Sequence, residues 1–168
     1  MDDNIRALIH QAYTGEAKAA IRLKVFAEKA AGEDYAQIAK LFAVIAYSEE
    51  IKCKRALRLL KEVGSTEQNL AESFESETRV AGVAYADFIR QAEAAGDAAS
   101  SSYFAQSKDV EESHARLYKE AMAHVMDERQ TTYYVCGFCG YVADGLLPET
   151  CPVFGVERER FVEFGVAC

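Results

Sequence analysis

Glu111-Glu112-Ser113-His114, together with its altered copy Glu49-Glu50-Ile51-Lys52, decides the predicted fold of this chain. Another glutamate precedes each motif at almost the same interval, Glu16 before the first copy and Glu77 before the second. That interval fits one helix, a tight connection and the same depth on the next helix. Two copies therefore place four carboxylates at one level of a four-helix bundle. A Glu-x-x-His pair aims both side chains at one point, because three residues are nearly one helical turn. The pattern predicts a dinuclear metal site in which Lys52 stands at one of the two histidine positions.

These glutamates could instead be solvated helix charges, as most glutamates are. The apolar periodicity argues against that interpretation. In the second helix, Glu49 and Lys52 continue a stripe that the 3.6-residue period assigns to the core, formed by Ile38, Leu41, Phe42, Ile45 and Leu59. The other three acids interrupt the apolar stripes of their own helices. Unpaired, each would cost roughly several kcal/mol, so the pattern predicts a cation among them. Glu50 and Glu112 point away from the stripes and are predicted to be surface charges.

Length and charge limit the function classes. A chain of 168 residues buries roughly two thirds of its unfolded surface, enough for one core and a small appendage. The net charge of −8 argues against a nucleic-acid partner. There is no apolar run of membrane-spanning length, and Met1-Asp2-Asp3-Asn4 does not begin a signal-peptide pattern. We therefore expect a cytoplasmic protein with no membrane partner.

Helix punctuation divides the first part of the chain into four helices. Gly32, Gly64 and Gly96 mark the breaks, and Ser65-x-x-Gln68 is a capping box that predicts the start of the third helix. We predict helices near residues 4 to 31, 34 to 63, 67 to 95 and 98 to 127. The predicted bundle domain is 1–130.

Residues 131–168 are predicted to form a second, small β domain that holds a metal. Cys136-x-x-Cys139 is followed by Cys151-Pro152-Val153-Phe154, and two Cys-x-x-Cys knuckles at such a spacing bind iron or zinc tetrahedrally. The second knuckle has lost its last sulfur to Phe154. A thioredoxin-like redox pair would need a βαβ pattern, which is absent, and a disulfide does not suit a cytosolic chain. Cys53 is interpreted as a buried helical thiol, and Cys168 is a minority candidate for the fourth sulfur.

In this order the motifs resemble the rubrerythrin family over essentially the whole chain. They are Gly15-Glu16, Glu49-x-x-Lys52, Glu77, Glu111-x-x-His114, Tyr134-x-Cys136-Gly-x-Cys139-Gly-Tyr141 and Cys151-Pro-x-Phe154-Gly155. The resemblance implies a mainly α fold, a ferritin-like four-helix bundle followed by a rubredoxin-like domain. It also implies a non-haem iron enzyme that reduces hydrogen peroxide, with electrons relayed from a cysteine-bound iron to a di-iron site. The implied metal ligands are Glu16, Glu49, Glu77, Glu111, His114, Cys136, Cys139 and Cys151.

Three departures from the family pattern fall on metal-ligand positions. Lys52 stands where the family has histidine, Phe154 where it has the fourth cysteine, and Val80 where a second third-helix glutamate is usual. None of them disturbs a helix period, so the predicted fold is unaffected. Neighbouring carboxylates should keep Lys52 charged. We therefore expect one well-held metal beside Glu77, Glu111 and His114 and a weak or empty second position. Donation of a proton from Lys52 to peroxide is the less favoured role for this residue.

Two function classes follow. The first is a rubrerythrin-type peroxidase that draws on a redox electron donor, and the second is a divergent metal-binding, iron-handling or scaffold protein with little turnover. The loss of ligands at both centres weakens the enzyme hypothesis without removing it. With Phe154 in the fourth slot, three thiolates should leave either an open coordination position or a site that takes zinc in place of iron.

The connection around Gly64, Ser65 and Thr66 bears on assembly. In a ferritin-like bundle the second and third helices run parallel, so their link must span roughly 35 to 40 Å. A few extended residues cover only about 3.3 to 3.6 Å each. Either the third helix starts late and residues 66 to 73 are extended, or the chain forms a helix-swapped homodimer. We favour the swap, in which Glu16, Glu49 and Lys52 of one subunit meet Glu77, Glu111 and His114 of the other.

Overall fold

The structure is a computed structural model that describes residues 1–125 and 130–165. The chain divides into two compact units, Met1–Gly64 and Ser65–Cys168. Helical segments come first in the chain and a small antiparallel sheet follows them, as the sequence predicts. Within the described residues, no helix has the length and the low charge that crossing a bilayer requires.

The first unit is a pair of antiparallel helices, α1 (Asp3–Gly32) and α2 (Ala36–Leu60). Asp2 caps α1 by accepting hydrogen bonds from the N–H groups of Asn4 and Ile5. At one end of the pair, Arg6 near the start of α1 forms an ion pair with Glu62, which follows α2, at 3.1 Å. The predicted end of α2 at residue 63 is wrong, because Lys61 adopts a left-handed conformation (φ 60°) and ends the helix at Leu60.

Small side chains form much of the buried contact within this helix pair. Ala20, Ala30, Ala46 and Leu60 are buried. The larger residues of the predicted core stripe are exposed instead, among them Ile38, Leu41, Ile45 and Leu59. Their predicted burial is therefore wrong for the single chain. The physical reason is that two helices cover only the narrow strip along which they meet, and alanines occupy much of that strip.

The second unit begins with α3 (Thr66–Arg79), a π-helical segment (Val80–Tyr85) and α4 (Ala86–Ala94), followed by α5 (Ala98–Ala123). The predicted capping box is confirmed: Ser65 accepts from the Gln68 N–H, and the Gln68 side chain accepts from the Ser65 N–H. Because α3 begins at Thr66, the alternative in which residues 66 to 73 are extended is wrong. The predicted end of the last helix at residue 127 lies outside the described residues.

The π-helical segment departs from the single helix that we predicted over residues 67 to 95. Each π turn holds one residue more than an α turn, so the segment changes which residues face α5 after Glu77. Tyr85, at its end, contacts Phe88 of α4 and Phe104 of α5, with ring centroids 5.8 and 6.3 Å away. Such segments occur frequently at functional sites, and this one starts three residues after a predicted metal ligand.

The sheet has three antiparallel strands in the order β2-β1-β3: β1 (Tyr133–Cys136), β2 (Val142–Asp144) and β3 (Phe161–Phe164). A short 3₁₀ helix, Arg158–Arg160, leads into β3. Cys136 ends β1 opposite Phe161, so the central strand carries the first cysteine of the predicted metal knuckle.

Candidate metal centres

The first cluster consists of Glu16 on α1 and of Glu49 and Lys52 on α2. The Lys52 Nζ lies 2.7 Å from Glu16 Oε2 and 2.5 Å from Glu49 Oε2. Glu49 and Lys52 share a face because they are three residues apart on α2, and Glu16 reaches them across the helix pair. The structure thus places an ammonium group between two carboxylates, where the sequence pattern alone predicts a metal ion.

The charges in this cluster support one another. Hydrogen bonds with Glu16 and Glu49 raise the pKa of Lys52, as we predicted. Hydrogen bonds with Glu49 and with Lys52 lower the pKa of Glu16. A protonated lysine has no lone pair to give to a metal. These three side chains by themselves therefore do not fit a metal ion, since the lysine already supplies the cation that the carboxylates require.

The second cluster consists of Glu77 on α3 and of Glu111 and His114 on α5. Their ligand atoms all lie within 4.8 Å of one another, as a metal ion would require. His114 Nδ1 is 3.5 Å from Glu111 Oε2, again through i, i+3 spacing on one helix. Two carboxylates and one imidazole are a donor set that suits iron, and in this respect the residues fit the predicted metal.

The electrostatics of Glu77 differ from those of the first cluster. Burial, then hydrogen bonding and repulsion from Glu111, raise the pKa of Glu77 to about 7. This behaviour is the opposite of that of Glu16, which has a lysine beside it. A divalent ion would favour the ionised form of Glu77 and remove the conflict with Glu111.

The other ring nitrogen of His114 is held by the β domain. His114 Nε2 lies 3.1 Å from the carbonyl oxygen of Gly140. A carbonyl oxygen only accepts, so Nε2 is the donor in this contact, and Nδ1 is the ring nitrogen that faces Glu111. Histidines that ligate metals commonly donate their second N–H to a backbone carbonyl in this way. Our sequence analysis missed Gly140 as the partner of His114, because no periodic signal connects a helix residue with a distant loop carbonyl.

The third cluster consists of Cys136, Cys139 and Cys151, whose sulfur atoms lie within 4.8 Å of one another. Cys139 Sγ and Cys151 Sγ are 3.5 Å apart, and all three are free thiols, so no disulfide joins them. Burial, opposed by a hydrogen bond from the Tyr141 backbone and reinforced by the thiols of Cys151 and Cys136, raises the pKa of Cys139 to about 12. Burial would also raise the pKa of Cys136, but hydrogen bonds from the backbones of Cys139 and Phe138 and from the other thiols lower it on balance. Three sulfurs fit zinc or iron with one coordination position left over.

One other cysteine among the described residues, Cys53, stays outside this centre. Cys53 is half-buried on α2, and its Sγ lies 3.8 Å from the carbonyl oxygen of Tyr13. Burial, followed by repulsion from Glu16 and Glu49, raises its pKa. Cys168, our minority candidate for the fourth sulfur, lies outside the described residues. The predicted surface glutamates form lysine ion pairs, Glu50 with Lys24 and Glu112 with Lys108.

Comparison with known proteins identifies relatives of this chain. A family model described as Rubrerythrin matches residues 7–122. Rubrerythrin-2 of Clostridium acetobutylicum is 27% identical, over 93% of this chain and 94% of the relative. Rubrerythrin of Porphyromonas gingivalis is 32% identical, over 84% of this chain and 80% of the relative. A solved structure of fully reduced, all-ferrous nigerythrin matches with a TM-score of 0.59 and 25% identity, over 95% of this chain and 86% of that one.

These matches confirm the predicted fold class, a ferritin-like four-helix bundle with a rubredoxin-like domain after it. The Glu/His and Cys clusters are the places where such a chain could hold iron. The role of each individual ligand stays a prediction.

We predict that Lys52→His raises the metal content of the helical part of the chain. The substitution removes the ammonium between Glu16 and Glu49 and adds an imidazole ligand. Loss of a residue that only supports a ligand typically lowers metal affinity by ~10 to 100-fold, so gain of a ligand should raise the affinity at this position by at least that factor. Metal per chain is measured after identical loading and dialysis. Lys54→His, at an exposed position on the same helix, is the matched control. Equal metal content in the wild type and Lys52→His would contradict the role given to Lys52.

We also predict that the metal-free protein loses stability as the pH rises from about 4.5 to 7. The folded chain binds the Glu77 proton more tightly than the unfolded chain does, so this stabilising contribution is complete below the ordinary pKa of 4.5 and is lost as the pH rises through about 7. Melting temperatures measured in a chelator should therefore fall across this range, and Glu77→Gln should flatten the decline. Glu75→Gln, on the exposed side of α3, should keep the wild-type slope. A Glu77→Gln profile parallel to that of Glu75→Gln would refute the assignment.

Proposed function

This chain belongs to the rubrerythrin family of non-haem iron proteins, and from that premise we propose that it reduces hydrogen peroxide to water. The proposal assigns the peroxide site to Glu77, Glu111 and His114 and the electron-relay site to Cys136, Cys139 and Cys151. Glu16, Glu49 and Lys52 complete the peroxide site. A redox protein or small reductant supplies the electrons.

The observation that carries the proposal is the hydrogen bond from His114 to Gly140. Gly140 follows Cys139 directly in the chain, so a short path of covalent bonds and one 3.1 Å hydrogen bond connects a sulfur ligand with an imidazole ligand. This bond supports the proposal because it orients the imidazole and joins the two sites, as an electron relay between two metal centres requires.

The two clusters have different donor sets, and this difference suits a redox pair. Carboxylate and imidazole ligands accommodate both ferrous and ferric iron, whereas thiolates are the softer ligands of a rubredoxin-type site. Reduction of one peroxide consumes two electrons and two protons and yields two waters. Iron at the two centres would supply the electrons, and Glu77, Glu111 and His114 would hold the metal at the peroxide site.

Lys52 favours a second candidate function. Its ammonium occupies the space between Glu16 and Glu49, so the chain could hold one metal in the bundle and have little peroxidase turnover. In that case the protein would be a divergent metal-binding protein that handles iron or serves as a scaffold. The same ammonium could also donate a proton to peroxide, which is the less favoured role.

We further propose that the protein works as a helix-swapped homodimer. Only residues 61–65 connect α2 with α3, and even fully extended they reach less than about 20 Å, against the roughly 37 Å length of a 25-residue helix. An apolar groove of about 750 Å³ runs beside Lys52 on α1 and α2, lined by residues such as Ile5, Leu8 and Leu59. In the proposed dimer, α3 to α5 of the partner subunit cover this exposed face.

A reducing compartment suits this activity. Cys136, Cys139 and Cys151 must remain thiols to bind metal, and the cytoplasm keeps thiols reduced. We therefore keep the cytoplasm as the proposed location.

The test of peroxide reduction uses iron-loaded protein that has been reduced and kept free of oxygen. Addition of hydrogen peroxide should oxidise about two ferrous ions per peroxide, because each ferrous ion gives one electron. His114→Gln should slow the reaction by at least about 10-fold, since it removes a metal ligand. His10→Gln, on α1, is the matched control and should react as the wild type does. Equal rates for the wild type and His114→Gln would rule out a bundle peroxide site.

The test of the swapped dimer mixes and refolds two inactive variants, Glu16→Ala and His114→Ala. A swapped heterodimer pairs the intact first unit of one chain with the intact second unit of the other, which restores one complete site and leaves one doubly damaged site. Each heterodimer is expected to recover peroxide reduction at one of its two sites, which is half of the wild-type level per heterodimer. Each variant refolded alone is the control. An assembly without swapping leaves every site singly damaged and recovers nothing.

A further inference from the structure

The second cysteine knuckle keeps its backbone although it has lost a sulfur. In the first knuckle the Gly140 N–H donates to the Cys136 carbonyl at 2.9 Å, and in the second the Gly155 N–H donates to the Cys151 carbonyl at 2.7 Å. Both glycines have the positive φ that this turn requires, 84° and 70°. Phe154 therefore stands at the position from which a fourth sulfur would reach the centre. The missing ligand leaves an open corner in an otherwise intact site.

Exposure shows which way that open corner faces. Cys136 and Cys151 are almost fully buried, at 1% and 2% exposure. Cys139 is only partly buried, and Phe154 is 38% exposed. The first residue of each knuckle thus points inward and the last points outward. The open corner lies on the outer side of the centre.

A cleft of about 660 Å³ lies on that outer side. Cys139 and Phe154 both line it, so it reaches the sulfur centre itself. Its other walls are the Phe138 ring, which packs against Phe154 with centroids 4.1 Å apart, and residues of α5. The α5 residues that line the cleft are Ala99, Ser102, Tyr103, Gln106 and Ser107. Three aromatic rings, hydroxyl and amide groups surround the cleft, and no side chain of formal charge is among its lining residues.

We propose that the three-cysteine centre is a ligand-binding metal site whose fourth ligand is a small thiol from solution. Metal sites with three protein ligands keep a fourth position for water or substrate, whereas purely structural sites close all four. Three thiolates make the bound metal prefer a soft donor, and sulfur is the soft donor that the missing cysteine would have supplied. The uncharged aromatic walls suit a small thiol without a large charged group.

Binding is a ligand exchange and needs no oxidant or reductant. The metal–sulfur bond forms with an electron pair from the thiolate, the metal–water bond breaks, and the thiol proton passes to solvent. Cys136, Cys139 and Cys151 stay bound throughout, and Phe138 and Phe154 pack against the body of the ligand. This inference goes beyond peroxide reduction and does not depend on it.

The test uses the full chain loaded with cobalt(II), whose visible spectrum reports the number of sulfur ligands, in a buffer whose only reductant is a phosphine. Titration with 2-mercaptoethanol should shift the wild-type spectrum from three-sulfur to four-sulfur character and should saturate. Phe154→Cys should show the four-sulfur spectrum before any thiol is added and should not respond to the titration. Phe154→Ser, which removes the ring without adding a ligand, should still respond.

A second variant tests the cleft in case Phe154→Cys does not fold. Ser102→Trp narrows the cleft from α5 without touching a metal ligand, so the apparent affinity for 2-mercaptoethanol should fall by at least about 10-fold at unchanged cobalt content. Lys119→Trp, at an exposed position on the same helix, should bind the thiol as the wild type does.

Three results would overturn the proposal. A four-sulfur spectrum of the wild type before thiol is added would mean that Cys168 or another chain supplies the fourth sulfur. A wild-type spectrum that does not change with thiol would mean that the open corner binds none. Equal thiol affinity in Ser102→Trp and Lys119→Trp would mean that the ligand does not enter through this cleft.

Discussion

Carboxylates set along helix contacts need a positive charge beside them, and this constraint governs both halves of the helical part of the chain. In the first unit the protein itself supplies the charge, because the Lys52 ammonium lies within 2.7 Å of Glu16 and 2.5 Å of Glu49. In the second unit, burial and Glu111 both raise the pKa of Glu77, to about 7. The two clusters follow one repeated sequence pattern but meet the same electrostatic requirement in different ways. The first cluster contains its own cation, whereas the second brings together three side chains whose ligand atoms could hold a metal ion.

The second unit also joins its two candidate centres. His114 faces the glutamates with one ring nitrogen and donates to Gly140 with the other, and Gly140 is bonded to Cys139. The position of this imidazole therefore depends on both the β domain and the helices. This arrangement explains why a ligand of the helical cluster depends on the fold of the cysteine loop. It also gives the proposed electron relay a short route within one chain.

The cysteine centre shows how a site can lose a ligand without losing its architecture. The turn around Cys151 retains the glycine and the hydrogen bond of an intact knuckle, so the backbone still presents position 154 to the metal. A phenylalanine there cannot coordinate. Its ring packs against Phe138 and becomes part of the wall of a cleft. Replacement of one sulfur thus converts a closed corner into an accessible one, which is the basis of the proposed thiol site.

The sequence was enough to predict the helical order, the capping box at Ser65, the small sheet, and the grouping of Glu77 with Glu111 and His114 and of Cys136 with Cys139 and Cys151. These features depend on local periodicity and on spacing within one element, where three residues always make nearly one helical turn. Only the tertiary structure decided that Ile38, Leu41 and Ile45 are exposed in the single chain, that a π segment follows Glu77, and that Gly140 holds His114. Burial depends on which surfaces meet, and a π turn leaves no periodic signal in the sequence. Every residue has a backbone carbonyl, so the sequence does not show which carbonyl a side chain will contact. Tertiary contacts therefore decided how the predicted ligands are charged, oriented and connected.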